Sequence, residues 1–316
     1  MRIVILDGYT LNPGDNPWDP VAELGSLKVF DRTPRQLVVE RASGAHVVVT
    51  NKTRLGADAL AELDRLGLIT VLATGYDNVD VAAAVARGVT VCNVPAYATN
   101  SVAQHVFALL LELSNRVGEH DRAVHVGQWA RAGDFTFWTH APVELAGRVM
   151  GLVGYGTIGR RVAEIAMAFG MSVLATTRTR PPAPTRVEIV DLEKLFTRSD
   201  VISLHCPLTA ETEGIVGASL LERAKPGAFL INTARGRLVD ETALAHALEH
   251  GMLAGAAVDV AAREPIADES PLLSARNCII TPHMAWASLA ARRRLMLATA
   301  ENIRSWSEGR PVNVVA

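Results

Sequence analysis

The 316-residue sequence contains only three cysteines, few aromatic residues and no long apolar run. Cys92, Cys206 and Cys278 are widely spaced, which excludes a CxxC pair and a zinc-binding cluster, so we predict buried thiols and no bound metal. Unpaired cysteines are usual in a reducing compartment. Because the sequence also lacks a membrane-length apolar run and a signal-peptide pattern, we predict a cytoplasmic protein with no membrane association.

An excess of basic charge is also missing. The 31 Lys and Arg residues nearly balance the 33 Asp and Glu residues, giving a formal charge of -2. Proteins that bind nucleic acids or membrane surfaces more often carry a basic excess, so neither partner is predicted. Hydrophobic residues make up 49% of the chain, mostly as Ala, Val and Leu, which is typical of buried parallel strands covered by helices.

Short β-rich and helical segments alternate along the chain and predict an α/β fold. Near the N-terminus, strands are predicted at 2–6, 47–50 and 70–73, with a helix at 60–66. Further strands are predicted at 149–153, 172–175, 201–205, 228–232, 256–260 and 278–281, and helices at 158–169, 218–223 and 241–250. This repeated βα pattern predicts a doubly wound parallel sheet.

Two long helices and a terminal tail indicate how these parts are connected. Helices predicted at 101–113 and 288–308 flank the regular region, and an apolar tail at 311–315 would return to the first domain. We therefore predict a discontinuous domain of residues 1–98 and 288–316, and an inserted domain of residues 99–287.

The polar segment 120–140 is predicted to be irregular, and it carries four aromatic residues, Trp129, Phe135, Phe137 and Trp138. A soluble monomer rarely leaves so many aromatic side chains exposed. Packing against their own domain and packing against a second subunit are equally good explanations of this pattern.

A GxGxxG pattern lies at Gly154-Tyr155-Gly156-Thr157-Ile158-Gly159, between an apolar strand and an amphipathic helix. In that context the glycines allow a tight turn, a close approach of pyrophosphate and close packing of helix on strand. The helix N-terminus offers free N–H groups to the phosphates. The loop therefore predicts a dinucleotide site.

The next strand ends at Thr177, Arg178 and Arg180, where an NAD site usually has an acidic residue for the ribose hydroxyl. The two arginines offer charge-assisted hydrogen bonds to a 2′-phosphate instead. We predict NADP as the preferred cofactor, with NAD as the alternative.

Three polar residues follow predicted strands at the same sheet edge: Arg235, Glu264 and His283. Reduction of a 2-keto acid needs a proton donor, and histidine is suited to that task near neutral pH. A carboxylate beside the histidine favours its protonated form, and an arginine binds the substrate carboxylate and the developing alkoxide. Each residue has an ordinary structural explanation when taken alone, but their joint placement predicts a catalytic site.

These motifs resemble the D-isomer-specific 2-hydroxyacid dehydrogenase family, and they occur in the family's order over most of the chain. The resemblance is carried by GYGTIG at 154–159, LHCPLT at 204–209, NTARG at 232–236 and TPH at 281–283. The glycerate dehydrogenase and hydroxypyruvate reductase branch is most similar, through NPGD at 12–15, LATGY at 72–76, DF at 134–135 with Trp138, and HMAWAS at 283–288.

The resemblance implies two Rossmann-like domains, with the nucleotide domain inserted into a smaller, flavodoxin-like substrate domain. It also implies Arg235 as substrate binder, Glu264 and His283 as an acid/base pair, and a homodimer formed through residues 99–145. Its implied substrate contacts are Lys52, Thr74, Gly75, Tyr76 and Trp286. Its implied cofactor contacts beyond the glycine loop and the arginines are His205, Cys206, Pro207, Thr212, Thr233, Ala234 and Asp259.

The predicted function is reduction of a short 2-keto acid, hydroxypyruvate or glyoxylate, to the D-2-hydroxy acid. Formate dehydrogenase shares the architecture but has no need of a carboxylate such as Glu264. Phosphoglycerate dehydrogenase would need room for a further regulatory domain. A nucleotide-sensing binding protein or corepressor on the same fold is the alternative from another class, and turnover of any 2-keto acid would distinguish it.

Overall fold

The computed structural model describes residues 1–179 and 186–315, and its contacts divide the chain into two compact units. The first unit comprises Met1–Ala98 and Trp286–Ala316, and the second comprises Thr99–Ala285. The second boundary lies two residues before the expected one. Trp286 belongs to the first unit, where its ring meets that of Tyr97 edge-on at 6.4 Å.

The described residues include twelve strands. They are β1 (Arg2–Ile5), β2 (Ser26–Val29), β3 (Val47–Thr50), β4 (Leu68–Val71), β5 (Thr90–Cys92), β6 (Val149–Val153), β7 (Ser172–Thr176), β8 (Glu188–Ile189), β9 (Val201–Leu204), β10 (Phe229–Asn232), β11 (Gly255–Val258) and β12 (Cys278–Ile280).

Eleven α-helices occur in the same described ranges. They are α1 (Asp19–Ala22), α2 (Val38–Ala42), α3 (Ala57–Ala61), α4 (Val81–Ala86), α5 (Thr99–Asn115), α6 (Val117–His125), α7 (Thr157–Ala168), α8 (Leu192–Arg198), α9 (Ala218–Leu221), α10 (Glu241–Glu249) and α11 (Leu289–Ser307).

The first unit is built on a five-stranded sheet in the order β2-β1-β3-β4-β5, with every neighbouring pair parallel. This is the flavodoxin-like strand order. Strands β3 and β4 are buried at every position, as expected for a parallel sheet covered on both faces. Helix α11 supplies Leu295, Met296 and Ile303 to the core on one face. The C-terminal tail returns to the sheet edge, where Val314 pairs with Cys92.

The second unit is built on a seven-stranded sheet in the order β12-β11-β10-β9-β6-β7-β8, again with every neighbouring pair parallel. Counted from β6, this is the doubly wound order of a dinucleotide-binding fold, extended by one strand. Helices α5 and α7 pack on one face, where Val106, Leu110 and Val162 join the core. The predicted fold class is confirmed in both units.

Element boundaries were predicted better in the second unit than in the first. The six strands predicted between residues 149 and 281 are present, each within two residues of its expected ends. The helix expected at 60–66 is instead α3 at Ala57–Ala61. Leu63 and Leu66 follow it in successive turns that bury both side chains, which imitates helical spacing. The strand expected at 70–73 begins two residues earlier, as β4.

The prediction of an irregular segment from residue 120 to 140 was wrong for its first part, because helix α6 extends through His125. The sequence has little apolar periodicity there, since Ala123 is the only residue that α6 buries. Side-chain hydrogen bonds from His120 and His125 to the carbonyls of Arg116 and Asp121 accompany the helix. These polar contacts, rather than a core-facing stripe of buried side chains, support the helix.

Candidate active site

The glycine loop lies between β6 and α7, beside the loop that follows β9. A Cβ on Gly154, whose φ is +105°, would lie 2.6 Å from the Cys206 nitrogen, and a Cβ on Gly159 would lie 2.3 Å from the Gly154 oxygen. A Cβ on Gly156 would meet nothing within 4 Å. Two glycines are therefore required for close packing, and the third keeps open the space that a pyrophosphate needs.

The first turn of α7 is arranged to receive an anion. Its N-cap is Gly156, which makes no side-chain capping bond, so Thr157 and Ile158 begin a twelve-residue helix without an internal cap. Uncapped N–H groups at a helix start bind phosphate well. The predicted contact Tyr155 precedes this turn, with the Arg160 guanidinium over its ring at 5.6 Å.

The loops after β9 and β10 carry the other predicted cofactor contacts. Ser203 Oγ lies 2.9 Å from His205 Nε2, and burial lowers the pKa of His205 to about 4, so this ring is neutral at physiological pH. The Thr233 hydroxyl is buried and has no hydrogen-bond partner within the described residues. An unsatisfied hydroxyl at the carboxyl edge of this sheet, two strands from β6, fits a bound dinucleotide, since buried polar groups normally find partners.

The remaining contacts of this group belong to short turns. Thr212 Oγ1 donates to the Pro207 carbonyl at 2.7 Å and accepts from the Thr209 N–H at 2.8 Å, which closes the turn after His205 and Cys206. The Ala234 N–H donates to Asn232 Oδ1 at 3.0 Å, which holds the turn after β10. The geometry thus brings these predicted residues to the carboxyl edge of one sheet.

The end of β7 carries the residues expected near the adenosine ribose. Thr177 Oγ1 donates to the Thr179 carbonyl at 3.1 Å, and Arg178 is exposed. The pKa of Glu211 is lowered, chiefly by the Thr209 hydroxyl, and the charge of Arg178 adds to the effect. Arg180, also predicted to bind a 2′-phosphate, lies outside the described residues.

His283 and Glu264 form the shortest contact among the predicted catalytic residues. His283 Nδ1 lies 2.7 Å from Glu264 Oε2, and the two side chains are 28% and 36% exposed. His283 follows β12, and Glu264 follows the neighbouring strand β11. A carboxylate at this distance fixes the orientation of the ring through Nδ1 and leaves Nε2 as the nitrogen that can meet a substrate.

Arg235 follows β10, the next strand of the same sheet, and begins a short 3-10 turn. Asn232 Nδ2 donates to its carbonyl at 2.9 Å, and its own Nη1 donates to the Ala234 carbonyl at 2.8 Å. A Cβ on Gly236 would lie 1.9 Å from the Ala261 carbonyl carbon, so only glycine allows this loop to pack against the Glu264 loop. The packing places the loop of Arg235 directly beside the loop that carries Glu264.

Asp259 follows β11 and is 1% exposed. Its Oδ1 accepts from Thr281 Oγ1 at 2.6 Å and from the Met284 N–H at 2.9 Å, and its Oδ2 accepts from the Ala285 N–H at 2.8 Å. Burial opposes ionisation, but bonds from His105, Thr281 and the two N–H groups outweigh it and hold the pKa of Asp259 below its usual value. Its predicted contact with the cofactor stays a prediction, while its carboxylate visibly holds the His283 loop.

In the first unit, Lys52 follows β3 and its side chain is exposed. The backbone around it is held by Asp7, which follows β1. Asp7 accepts from the N–H groups of Asn51 at 2.8 Å, Lys52 at 2.5 Å and Thr53 at 2.7 Å. The loop that carries the predicted lysine is therefore fixed by three hydrogen bonds to one carboxylate.

The other predicted substrate contacts of the first unit lie after β4. Thr74 Oγ1 donates to the Val94 carbonyl at 3.0 Å, and Asn93 Nδ2 donates to the Thr74 carbonyl at 2.7 Å. Within the described part of the chain, the N–H groups of Thr74, Gly75 and Tyr76 have no protein acceptor. Three unsatisfied donors in succession are suited to a carboxylate.

Sequence reasoning missed Asp7, Asn93 and His105, which hold loops rather than line a site. Asp7 had a readable signal, because an acidic residue directly follows the first strand. His105 had one as well, since it and Ser101 are polar residues one helical turn apart on a mostly apolar helix. Asn93 had no such signal, because its importance depends on a carbonyl nineteen residues away.

The aromatic segment is largely exposed in the second unit. Trp129, Phe135 and Trp138 are 52%, 88% and 61% exposed, whereas Phe137 is half-buried, with its ring 6.5 Å from that of His120. Packing against their own domain therefore does not account for three of the four aromatic residues. Packing against a second subunit stays a prediction.

The three cysteines are unpaired, with Cys92 buried and the other two half-buried. Burial raises the pKa of Cys92 and Cys278 to about 11 and also raises that of Cys206, so all three are protonated at neutral pH. In the ranges 1–179 and 186–315, no three His, Cys, Asp or Glu side chains are grouped to hold a metal ion. The same ranges contain no helix with the length and apolarity needed to cross a membrane.

The chain is similar over most of its length to known proteins. The family model for the D-isomer specific 2-hydroxyacid dehydrogenase, NAD binding domain, matches residues 107–285. The hydroxypyruvate reductase of Blautia hydrogenotrophica is 44% identical over 320 residues, which covers 100% of this chain and 99% of that protein. The glycerate dehydrogenase of Methylorubrum extorquens is 42% identical over 285 residues, covering 90% of this chain and 89% of that protein.

A solved structure gives the same likeness in three dimensions. The NADPH-dependent glyoxylate/hydroxypyruvate reductase of Sinorhizobium meliloti, in complex with citrate, superposes with a TM-score of 0.86 at 30% sequence identity. The match covers 100% of this chain and 97% of that one.

Proposed function

The chain belongs to the D-isomer specific 2-hydroxyacid dehydrogenase family, and on that premise we propose that it reduces hydroxypyruvate or glyoxylate to the D-2-hydroxy acid with NAD(P)H. The observation that carries this proposal is the 2.7 Å contact between His283 and Glu264, at the sheet edge that also bears Arg235. The similar proteins named hydroxypyruvate reductase and glycerate dehydrogenase support the choice of substrate.

Each unit has its own proposed task. The second unit binds the dinucleotide through residues 154–159 and the loops after β7, β9 and β10. The first unit binds the keto acid through the N–H groups of Thr74, Gly75 and Tyr76, with Lys52 adding positive charge and Trp286 limiting the size of the substrate.

The proposed chemistry follows from the charges and hydrogen-bonding groups of these residues. When bound, the nicotinamide cofactor supplies the hydride that adds to the carbonyl carbon of the keto acid. Arg235 pairs with the substrate carboxylate and stabilises the negative charge that develops on the carbonyl oxygen. Because Nδ1 of His283 faces Glu264, the proton on Nε2 is the one given to that oxygen, which becomes the hydroxyl.

NADP is the proposed preferred cofactor, with NAD as the alternative. Thr177 and Arg178 stand where an acidic residue would repel a 2′-phosphate, and Arg178 is exposed and available for a charge-assisted bond. Arg180 is proposed for the same role from the sequence alone.

The decisive experiment is steady-state turnover of a panel of short 2-keto acids with NADH and with NADPH. The proposal expects reduction of hydroxypyruvate and glyoxylate, with product of D configuration. Binding of NAD(P)H without reduction of any keto acid above background would instead support a nucleotide-sensing binding protein.

We also propose a homodimer formed through residues 99–145, because Trp129, Phe135 and Trp138 present a large apolar surface. Sedimentation at several protein concentrations tests this. The chain should sediment as a dimer, and the Phe135→Ser and Trp138→Ser double variant should sediment as a monomer. A monomeric wild-type chain would contradict the proposal. A cytoplasmic location stays a prediction.

A further inference from the structure

Side chains of helix α5 contact both ends of the loop formed by residues 281–285. Ser101 Oγ donates to the Ala285 carbonyl at 2.7 Å, and His105 Nε2 lies 3.1 Å from Thr281 Oγ1. Residues four apart in a helix lie on the same face, so one turn of α5 holds the whole loop. The proton donor proposed above, His283, is the middle residue of that loop.

The contact of His105 continues into a buried carboxylate. Thr281 Oγ1 donates to Asp259 Oδ1 at 2.6 Å, and His105 Nε2 lies 3.5 Å from the same oxygen. The Asp259 side chain is 0% exposed and that of His105 is 16% exposed. Since Asp259 also accepts from the N–H groups of Met284 and Ala285, these side chains form one continuous network around the loop.

The backbone of the loop needs this support. His283 has a φ of +52°, in the left-handed region that residues other than glycine rarely adopt. Such conformations persist where the surrounding structure holds them. The His283 N–H donates to the carbonyls of Asp259 at 2.7 Å and Thr281 at 3.0 Å, the two residues whose side chains meet His105.

We propose that His105 is a positioning residue for His283, acting through the Thr281 hydroxyl and the Asp259 carboxylate. A donor N–H at Nε2 of His105 holds the side chains of Thr281 and Asp259 in their relative positions. These two residues in turn orient the His283 ring toward Glu264 and the substrate. The proposal rests on the proposed function, because it assumes that His283 delivers a proton. Displacements of about 1 Å in a reacting group lower rates by as much as about 100-fold.

The test compares His105→Leu, which removes the donor, with His105→Gln, whose amide nitrogen can take the place of Nε2. Gln104→Ala is the matched control, since Gln104 is an exposed residue of the same helix. Titration with NADPH, followed by fluorescence, counts folded cofactor sites independently of turnover. We expect His105→Leu to lower kcat per site by about tenfold or more, with the KM for the keto acid changed by less than about twofold.

Two readouts separate positioning from a loss of stability. The solvent deuterium isotope effect on kcat should increase in His105→Leu, because proton delivery becomes slower, and His105→Gln should recover most of the turnover. An unchanged kcat per site in His105→Leu, or a His105→Gln variant as slow as His105→Leu, would overturn the proposal. If His105→Leu binds no cofactor, the pair Thr281→Val and Thr281→Ser gives the same comparison at the next residue.

A measurement without turnover distinguishes failure of this inference from failure of the proposed function. The ring resonances of His283, assigned by their absence in His283→Gln, should shift in His105→Leu and not in Gln104→Ala. If the wild-type chain reduces no keto acid, the proposed function fails while this measurement still shows whether His105 positions the ring. Unshifted His283 resonances would contradict the positioning role in either case.

Discussion

Both units contain a parallel sheet with a switch point in its strand order, but the loops at the two switch points differ. In each unit two adjacent strands at the centre of the sheet send their chains in opposite directions, and the loops after them form a crevice. In the second unit these strands are β6 and β9, and in the first they are β1 and β3. The second crevice is lined by Gly154, Gly156 and Gly159, whereas the first is occupied by the carboxylate of Asp7.

This difference decides which crevice can receive a phosphate. The first turn of α7 has no side-chain cap, and the space next to Gly156 is open. In the first unit, the Asp7 carboxylate accepts hydrogen bonds from the N–H groups of residues 51, 52 and 53. These donors are therefore not available to a bound phosphate. Nucleotide binding is therefore a property of the loops rather than of the fold.

The first unit offers a different set of N–H groups for the proposed binding of a substrate carboxylate. The N–H groups of Thr74, Gly75 and Tyr76, one strand away after β4, have no acceptor among the described residues. Under the proposed function, turnover and cofactor binding depend on the second unit, whereas the N–H groups of the first unit serve recognition of the keto acid, as Arg235 does in the second. Substitutions in the two units should therefore separate kcat from KM.

The largest effect is expected from His283→Ala in the second unit. Loss of a general acid typically lowers turnover by about 10²–10⁴-fold, so kcat should fall in that range while NADPH affinity changes little. Steady-state kinetics and a fluorescence titration measure the two quantities. His246→Ala, which changes an exposed histidine on α10, is the control. A kcat equal to that of the control would remove His283 as the acid.

Arg235→Ala should reduce kcat/KM for the keto acid, because it removes the proposed partner of the substrate carboxylate. A charge-assisted hydrogen bond contributes about 1.5–3 kcal/mol, which corresponds to roughly 10- to 150-fold. The affinity for NADPH should be preserved. Arg237→Ala, which removes a nearby exposed arginine paired with Glu213, serves as the control. Equal kinetics in both variants would exclude Arg235 from substrate binding.

Asp7→Asn tests the first unit directly. The amide keeps one oxygen acceptor but loses the second, to which Lys52 and Thr53 donate their N–H groups. Unsatisfied donors cost about 1–3 kcal/mol, so the loop should loosen and the KM for the keto acid should increase by about tenfold, with kcat nearly unchanged. A fall in kcat at constant KM would break the division of tasks between the units.

The stability of the second unit should depend on acidity through His205. Its pKa is lowered from 6.5 to about 4 by burial, so the unfolded chain binds the proton more readily than the folded one. Stability is therefore full above pH 6.5 and decreases as the pH falls toward 4. Between pH 7 and pH 5, urea unfolding of the wild type should lose about 2 kcal/mol more than His205→Gln loses. Equal losses would show that the ring titrates normally.

The smallest effect is expected from Arg178→Ala at the rim of the dinucleotide site. Exposed charge pairs contribute at most about 1 kcal/mol, so the ratio of NADPH to NADH affinity should decrease by about fivefold. Titrations with both cofactors give this ratio, and Arg161→Ala, which removes an exposed arginine of helix α7 paired with Glu164, is a suitable comparison. If both cofactors weaken equally in Arg178→Ala, the assignment of a 2′-phosphate site fails.

The sequence predicted the second unit in more detail than the first, for a physical reason. Strands such as β6, β9 and β10 are buried on both faces, so they appear as short apolar runs between turn signals. Polar and half-exposed elements such as β2 at the sheet edge and helix α6 lack that pattern. Their positions depend on pairing and on hydrogen bonds with distant residues.

The sequence also proposed Arg235, Glu264 and His283, because each residue follows a strand that parallel topology brings to one edge. It did not reveal how they are held. The anchoring residues are separated from the loops they hold by large sequence distances, 176 positions between His105 and Thr281 and 44 between Asp7 and Asn51. Contacts over such distances follow from the strand order, which local propensity does not encode.

The sequence by itself determined the α/β class, the glycine loop and the chemical types of the proposed acid, base and substrate binder, since these depend on local spacing and on the reactivity of side chains. Only the tertiary structure decided which amides are free and which are already bonded. Asp7 fills the crevice of the first unit, Gly156 keeps that of the second open, and Asp259 with His105 fixes the loop of His283. Hydrogen bonds between loops are made only after the strands have paired, and for that reason the assignment of tasks to the two crevices required the folded chain.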